Sequence, residues 1–92
     1  MSSYPFNQKK LSKNILIREF KEGCDVDELI WHRDSKDRLI FVVESNGWCL
    51  QKDNELPILL EDGSQHFIKA RDWHRVIKGD GRLLVIVREK NA

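Results

Sequence analysis

The chain has 92 residues, of which 40% are hydrophobic and 34% charged, and its formal net charge is +1. This length holds one domain with a thin core, and the composition excludes a wholly disordered chain. The balanced charge lacks the excess of lysine and arginine that nucleic-acid binding needs, and no apolar run approaches the roughly 18 residues of a membrane helix.

A chain with so small a core often gains stability from a partner surface, so we expect a homodimer that binds neither nucleic acid nor membrane. The two cysteines, Cys24 and Cys49, have no metal-ligand spacing, and the N-terminus has no apolar signal-peptide core. We therefore expect reduced thiols and a cytoplasmic location.

The first 14 residues are polar and predict an N-terminal arm, either loose or exchanged with a neighbouring subunit, ahead of a single domain over residues 15–92. In that domain, short runs of branched and aromatic residues alternate with turn residues, and no stretch has a useful helical period. The predicted strands are 15–20, 28–32, 38–44, 48–51, 56–60, 65–70, 73–78 and 82–88.

Two glycine turns predict tight hairpins. Asn46-Gly47 follows the most apolar strand and supplies the positive-φ residues that favour a hairpin with the strand from Trp48. Gly79-Asp80-Gly81 predicts a second hairpin, between the last two strands. About eight short strands in close succession predict an all-β fold, an antiparallel barrel or jelly roll.

Chemistry is concentrated between Trp31 and Arg38, where imidazole, carboxylate and guanidinium groups immediately precede the most apolar strand. The order of features from this point resembles the first motif of the cupin superfamily of small β-barrels: two histidines one residue apart, a glutamate, a hydrophobic strand and a glycine turn. His32, Asp34, Arg38, the strand 39–44 and the turn 45–47 follow this order. Asp34 stands where the second histidine belongs, and Arg38 stands where the glutamate belongs.

Residues 63–76 resemble the second cupin motif, which has a glycine turn, a strand, a short corner and a histidine often followed by Arg-Val. Gly63-Ser64, 67–70, Arg71-Asp72 and His74-Arg75-Val76 match these parts in order. The resemblance covers about two thirds of the chain, residues 28–88. It implies a single antiparallel cupin-type β-barrel, the double-stranded β-helix or jelly roll.

In metal-binding cupins the motif histidines and carboxylate converge on a divalent metal. The resemblance therefore implies His32, Asp34 and His74 as ligands for iron (Fe), manganese (Mn), nickel (Ni) or zinc (Zn), in an isomerase or oxygenase. Two imidazoles and a carboxylate are the set that non-haem iron enzymes use. Arg38 opposes this hypothesis, because an inward-facing cation repels a metal ion and could pair with Asp34 instead.

Our leading hypothesis from the sequence is a cavity that binds a small anionic ligand, with or without catalysis. A guanidinium holds a carboxylate or phosphate bidentately, and imidazoles add further donors. The candidate ligand-binding residues are His32, Arg38, Gln51, His74 and Arg75.

A third hypothesis is a structural or assembly protein that uses the barrel as a scaffold. The polar arm favours it. So does a weaker resemblance of residues 31–34, 50–57 and 74–79 to short single-domain proteins encoded by tailed phages of marine bacteria.

Overall fold

The computed structural model describes residues 6–23 and 29–91, and every regular element in these ranges is a β-strand. Within these ranges no helix is long and apolar enough to cross a membrane. Residues 1–5 of the predicted arm, Cys24 and the first residue of the predicted strand 28–32 lie outside them. The strands are β1 (Phe6–Ser12), β2 (Ile15–Phe20), β3 (Lys36–Glu44), β4 (Cys49–Lys52), β5 (Ile58–Leu59), β6 (Gln65–Ile68), β7 (His74–Ile77) and β8 (Leu83–Asn91).

The strands form two antiparallel sheets, one of five strands in the order β1-β2-β8-β3-β6 and one of three in the order β5-β4-β7. An isolated bridge between His32 and His74 adds one more pairing beside β7. In the described part of the chain, the strands are paired in two sheets and not in one closed barrel. The predicted all-β jelly-roll class is confirmed.

Strand β1 lies in the stretch predicted as an arm, and it pairs with β2 of the same chain from Phe6↔Phe20 to Ser12↔Ile15. Two predicted strands are shorter than expected. Of residues 29–32, only His32 makes a β-bridge. Of residues 56–60, only Ile58 and Leu59 pair with another strand.

Both predicted glycine hairpins are wrong, because each turn joins strands of different sheets. Asn46 and Gly47 have positive φ angles of 57° and 86°, as this dipeptide favours, yet the flanking β3 and β4 do not pair. The turn at Gly79–Gly81 likewise leads from β7 into β8 of the other sheet. Turn chemistry sets the local backbone, but the burial of apolar faces over the whole domain decides which sheet the next strand enters.

The core lies between the two sheets. Trp48 is fully buried, its ring lies 5.6 Å from that of Phe20, and its Nε1 donates to the Gly81 carbonyl at 2.8 Å. The other buried hydrophobic residues are Leu16, Leu29, Val42, Leu50, Leu60, Ile68, Leu83, Val85 and Val87.

The two crossing turns are packed against each other. The Asp80 amide donates to the Asn46 carbonyl at 2.8 Å, and a Cβ placed on Gly79 would overlap the backbone of residues 46–48. Backbone is the neighbour that yields least, so only glycine fits at this crossing.

We expect Gly79→Ala to lower the free energy of unfolding by about 2 kcal/mol, in the range of overpacking changes. Gly23→Ala is the matched control, because a Cβ there meets none of the described residues within 4 Å. The control should stay within about 0.5 kcal/mol of the wild type. Urea denaturation of both variants measures the difference, and equal stabilities would contradict the packing at the crossing.

Candidate functional site

His32 and His74 are held opposite each other by backbone hydrogen bonds. The His32 amide donates to the His74 carbonyl at 3.0 Å, and the His74 amide donates to the His32 carbonyl at 2.9 Å. The ring centroids are 4.4 Å apart with an interplanar angle of 61°. The two cupin-like motifs, distant in sequence, therefore meet at their histidines.

Each imidazole is oriented by the carbonyl of the residue two positions earlier. His32 Nδ1 lies 2.9 Å from the Ile30 oxygen, and His74 Nδ1 lies 2.8 Å from the Asp72 oxygen. A carbonyl oxygen only accepts, so in both rings Nδ1 is the donor. A neutral ring in this tautomer presents the Nε2 lone pair, the state in which histidine binds a metal.

Asp34 brings a carboxylate to the same point. Its Oδ2 lies 3.3 Å from His74 Nε2 and 3.1 Å from Arg38 Nη1. Neither approach has hydrogen-bond geometry, so within residues 6–23 and 29–91 this buried oxygen has no hydrogen-bond partner. Nearly all buried polar atoms in proteins have one, so this atom needs an explanation.

The Asp34 carboxyl is held in its ionised form. Burial alone would raise its pKa, but the His74 side chain and the positive charge of Arg38 outweigh burial, and the net pKa is below its ordinary value. A proton on His74 Nε2 lowers the pKa of Asp34 in this way, and a cation held between Nε2 and Oδ2, which are 3.3 Å apart, would act in the same direction.

Arg38 lies between two carboxylates. Its Nη1 faces Asp34, and its Nη2 and Nε both contact Glu89 Oε2, at 2.8 and 3.0 Å. These three groups together carry one negative charge, and the nearby Arg18 guanidinium, whose charge interacts with both carboxylates, balances it. Glu89 therefore offsets the repulsion that the sequence analysis expected between Arg38 and a metal ion.

Glu89 was missed by the sequence analysis, although a signal for it exists. It continues the alternation of Val85 and Val87, whose side chains are buried on the inner face of β8. A charged residue at an inward position of a strand needs a partner, and Arg38 is its direct cross-strand neighbour.

A cavity of about 270 Å³ opens beside the histidines. Its walls are mainly apolar side chains of both sheets, such as Leu50 and Val85, and its polar lining is His32, His74, Arg18 and Arg38. The cavity is large enough for a small organic molecule.

Arg18 is the second residue that the sequence analysis missed. It lies on β2 between buried Leu16 and Phe20, so it faces inward, and its Nε donates to Gln8 Oε1 at 2.7 Å. Burial and then the charge of Arg38 lower its pKa. Two guanidinium groups therefore face one mainly apolar cavity.

Gln51 and Arg75 lie away from this cavity. They are direct neighbours on the outer face of the three-stranded sheet, and Arg75 Nε donates to Gln51 Oε1 at 2.9 Å. The amide nitrogen of Gln51 donates to the Glu55 carbonyl at 3.0 Å. The structure does not bring these two side chains to His32, Arg38 and His74.

The tripeptide Trp-His-Arg occurs twice, at 31–33 and 73–75, and the histidine bridge pairs the two copies antiparallel. Arg75 lies 5.0 Å from the ring centroid of Trp31, and Arg33 lies 5.3 Å from that of Trp73. Such cation–π contacts are worth about 0.5–1 kcal/mol at exposed sites. This repeat is the sequence signal that the two histidines pair.

A scan against protein-family models and a search of curated proteins find no match. Solved structures do match. The DMSP lyase DddQ from Ruegeria pomeroyi DSS-3 superposes with a TM-score of 0.73 at 12% identity, over 95% of this chain and 47% of that one. An RmlC-like cupin family protein with a double-stranded β-helix fold, from Methanocaldococcus jannaschii, gives 0.70 at 10% identity, over 98% and 84%.

The Fe(II) form of HppE also matches, with a TM-score of 0.66 at 18% identity, over 92% of this chain and 48% of that one. A chain from structures of the DMSP lyases RdDddP and RnDddQII is 22% identical, and this chain spans only 38% of its length. These identities establish the fold and nothing finer. On that ground this chain is a cupin-fold protein, as its two sequence motifs predict.

Proposed function

We propose that this chain binds a divalent metal ion through His32, Asp34 and His74, and a small organic anion in the cavity beside them. The observation that carries the proposal is the buried Asp34 Oδ2, which among the described residues has no partner with hydrogen-bond geometry and lies 3.3 Å from His74 Nε2. The three ligand atoms lie within 4.8 Å of one another.

The separation of Asp34 and His74 fits a metal ion. Two atoms that each bind one metal at about 2.1 Å lie about 3.0–3.4 Å apart at the usual bond angles, and Asp34 Oδ2 and His74 Nε2 are 3.3 Å apart. Glu89 offsets the charge of Arg38, so Asp34 is the carboxylate that would face the ion.

Iron(II) is our first candidate, ahead of manganese, nickel and zinc. Two imidazoles and one carboxylate form the facial set of non-haem iron(II) sites. The likeness to an Fe(II) protein, HppE, supports this order. A bound metal of this kind acts as a Lewis acid on oxygen atoms of the ligand that it holds.

The protein groups around the site have separate roles. The carbonyls of Ile30 and Asp72 hold both Nδ1 protons, which keeps Nε2 available as a ligand. Glu89 holds Arg38 and cancels its charge. The apolar walls exclude water, and Arg18 supplies the cation that orients the acidic group of the organic anion.

This assignment moves the anion contact from Arg38 to Arg18. Both guanidinium groups have partners: Arg38 contacts carboxylates on two sides, and Arg18 contacts Gln8. Arg18 lines the same cavity on its apolar side, between Leu16 and Phe20. An anion with an apolar body therefore fits the lining better than a highly polar one such as a sugar phosphate.

We expect protein purified without chelator to bind about one equivalent of iron(II), measured by anaerobic calorimetry and elemental analysis. Asp34→Asn and His74→Ala should each weaken binding more than ~100-fold, since changes outside the ligand shell alone cost roughly 10–100-fold. His66→Ala is the control, because His66 contacts Ser64 and is not in the cluster. No binding of iron, manganese, nickel or zinc would overturn the proposal.

Glu89→Gln should weaken metal binding about 10–100-fold, because it removes the charge that offsets Arg38 while keeping the shape of the side chain. Glu44→Gln is the matched control, since Glu44 pairs with Arg82 on the exterior. Calorimetric titration of both variants compares the affinities. Equal affinities would show that Arg38 does not influence the metal.

Small carboxylates with a short apolar chain, such as butyrate, should raise the melting temperature of the metal-loaded protein by mass action. Arg18→Met should abolish this rise, and Arg75→Met, on the outer face, should keep it. Melting curves at increasing butyrate concentration test both. A rise that survives in Arg18→Met would contradict the role given to Arg18.

A further inference from the structure

The outer face of the five-stranded sheet carries exposed hydrophobic side chains at several outward-facing positions in a row. Leu39, Phe41 and Val43 on β3 and Phe67 on β6 are between 36% and 51% exposed. The outer face of a sheet in contact with water normally carries polar residues at these positions. Exposed apolar patches of a few hundred Å² mark interaction sites.

The strand register makes this patch continuous. Leu39 is the cross-strand neighbour of Phe67, Phe41 is that of Ile86, and Ile86 is in turn that of Ile17. Neighbouring strands are about 4.8 Å apart, so these side chains form one continuous surface. The outer apolar strip consists of Ile17, Leu39, Phe41, Val43, Phe67 and Ile86.

The two ends of the strip carry opposite charge. Toward the start of β8, two residues from Ile86, Leu84 is the cross-strand neighbour of both Glu19 and Glu44, and these residues form an acidic row. The Arg82 guanidinium pairs with both carboxylates, with N–O distances of 3.0 Å to Glu19 and 3.1 Å to Glu44. The two carboxylates and the one guanidinium together carry one negative charge. Two residues from Ile86 in the other direction, exposed Arg88 lies in a row with Leu39. The acidic row and the Arg88 row are thus equally far from the row of Ile86.

We infer that a second copy of this chain binds to the outer apolar strip, around a two-fold axis that passes close to Phe41 and Ile86. This axis exchanges the two ends of the strip, so Arg88 of each copy lies over the acidic row of the other. Self-complementarity of this kind is what an isologous interface requires.

The size of the face also suits a dimer. Five strands about 4.8 Å apart and seven residues about 3.4 Å apart cover roughly 24 by 24 Å. With the relief of the side chains, this approaches the ~800 Å² that each partner buries in a standard interface. The metal ligands lie on the opposite side of the sheet, so the dimer does not depend on the proposed metal.

Sedimentation equilibrium of the full chain tests the inference. One chain has a mass of 10.9 kDa. The wild type should have twice this mass in solution, and the Phe41→Asp variant should have the mass of a single chain. Leu56→Asp is the control, because Leu56 is 85% exposed and lies outside the strip. It should remain dimeric. Circular dichroism of both variants verifies that they fold.

Three outcomes would overturn the inference: a wild-type chain that stays single at 100 µM, a Phe41→Asp variant that stays dimeric, or dissociation in both folded variants. Arg88→Glu should weaken association about tenfold, and adding Glu44→Arg should recover it. The position of the two-fold axis is tested by cross-linking. Phe41→Cys should form an intermolecular disulfide under mild oxidation, and Leu56→Cys should not.

Discussion

The backbone bridge between His32 and His74 is the constraint on which the site depends. It fastens the segment before β3 to the first residue of β7, and the Arg71 amide adds a bond to the Asp34 carbonyl at 2.7 Å. In an extended segment, residues two apart project to one side, so a fixed His32 also places Asp34 toward His74. One pair of backbone bonds therefore sets the positions of all three candidate ligands.

The second constraint is charge in an apolar interior. Arg38 and Glu89 are cross-strand neighbours on the inner face of the larger sheet, and Asp34 contacts the far side of the guanidinium. Removing these groups from water costs several kcal/mol for each ion, and their mutual attraction recovers only part of that cost. A charged network of this kind is a departure from an apolar interior, and such departures are expected at functional sites.

The sequence predicted the all-β class and most of the strands, because period-two alternation is a local signal. The convergence of His32, Asp34 and His74 was implied only by the resemblance to the two cupin motifs. The sequence failed at the glycine turns, since a turn's φ angles do not specify which sheet the next strand joins. Glu89 and Arg18 were missed for another reason. Each is a charged residue at an inward position, two residues from a buried hydrophobic residue of the same strand. The same alternation of inward and outward side chains places Gln51 and Arg75 on the outer face. Extending the alternation from the core residues therefore predicts the orientation of all four side chains.

Beside its core residues, the larger sheet carries charged side chains on its inner face and exposed apolar side chains on its outer face. Its inner face carries Arg18, Arg38 and Glu89 around a cavity, while its outer face carries the apolar strip. A domain of this size has little apolar area to spare, and a cavity removes part of its core. Burying the outer strip against a second copy would add apolar contact to that of the core, at about 25 cal/mol per Å² removed from water. The inferred dimer would thereby stabilise a fold whose interior encloses charged side chains and a cavity beside its hydrophobic core.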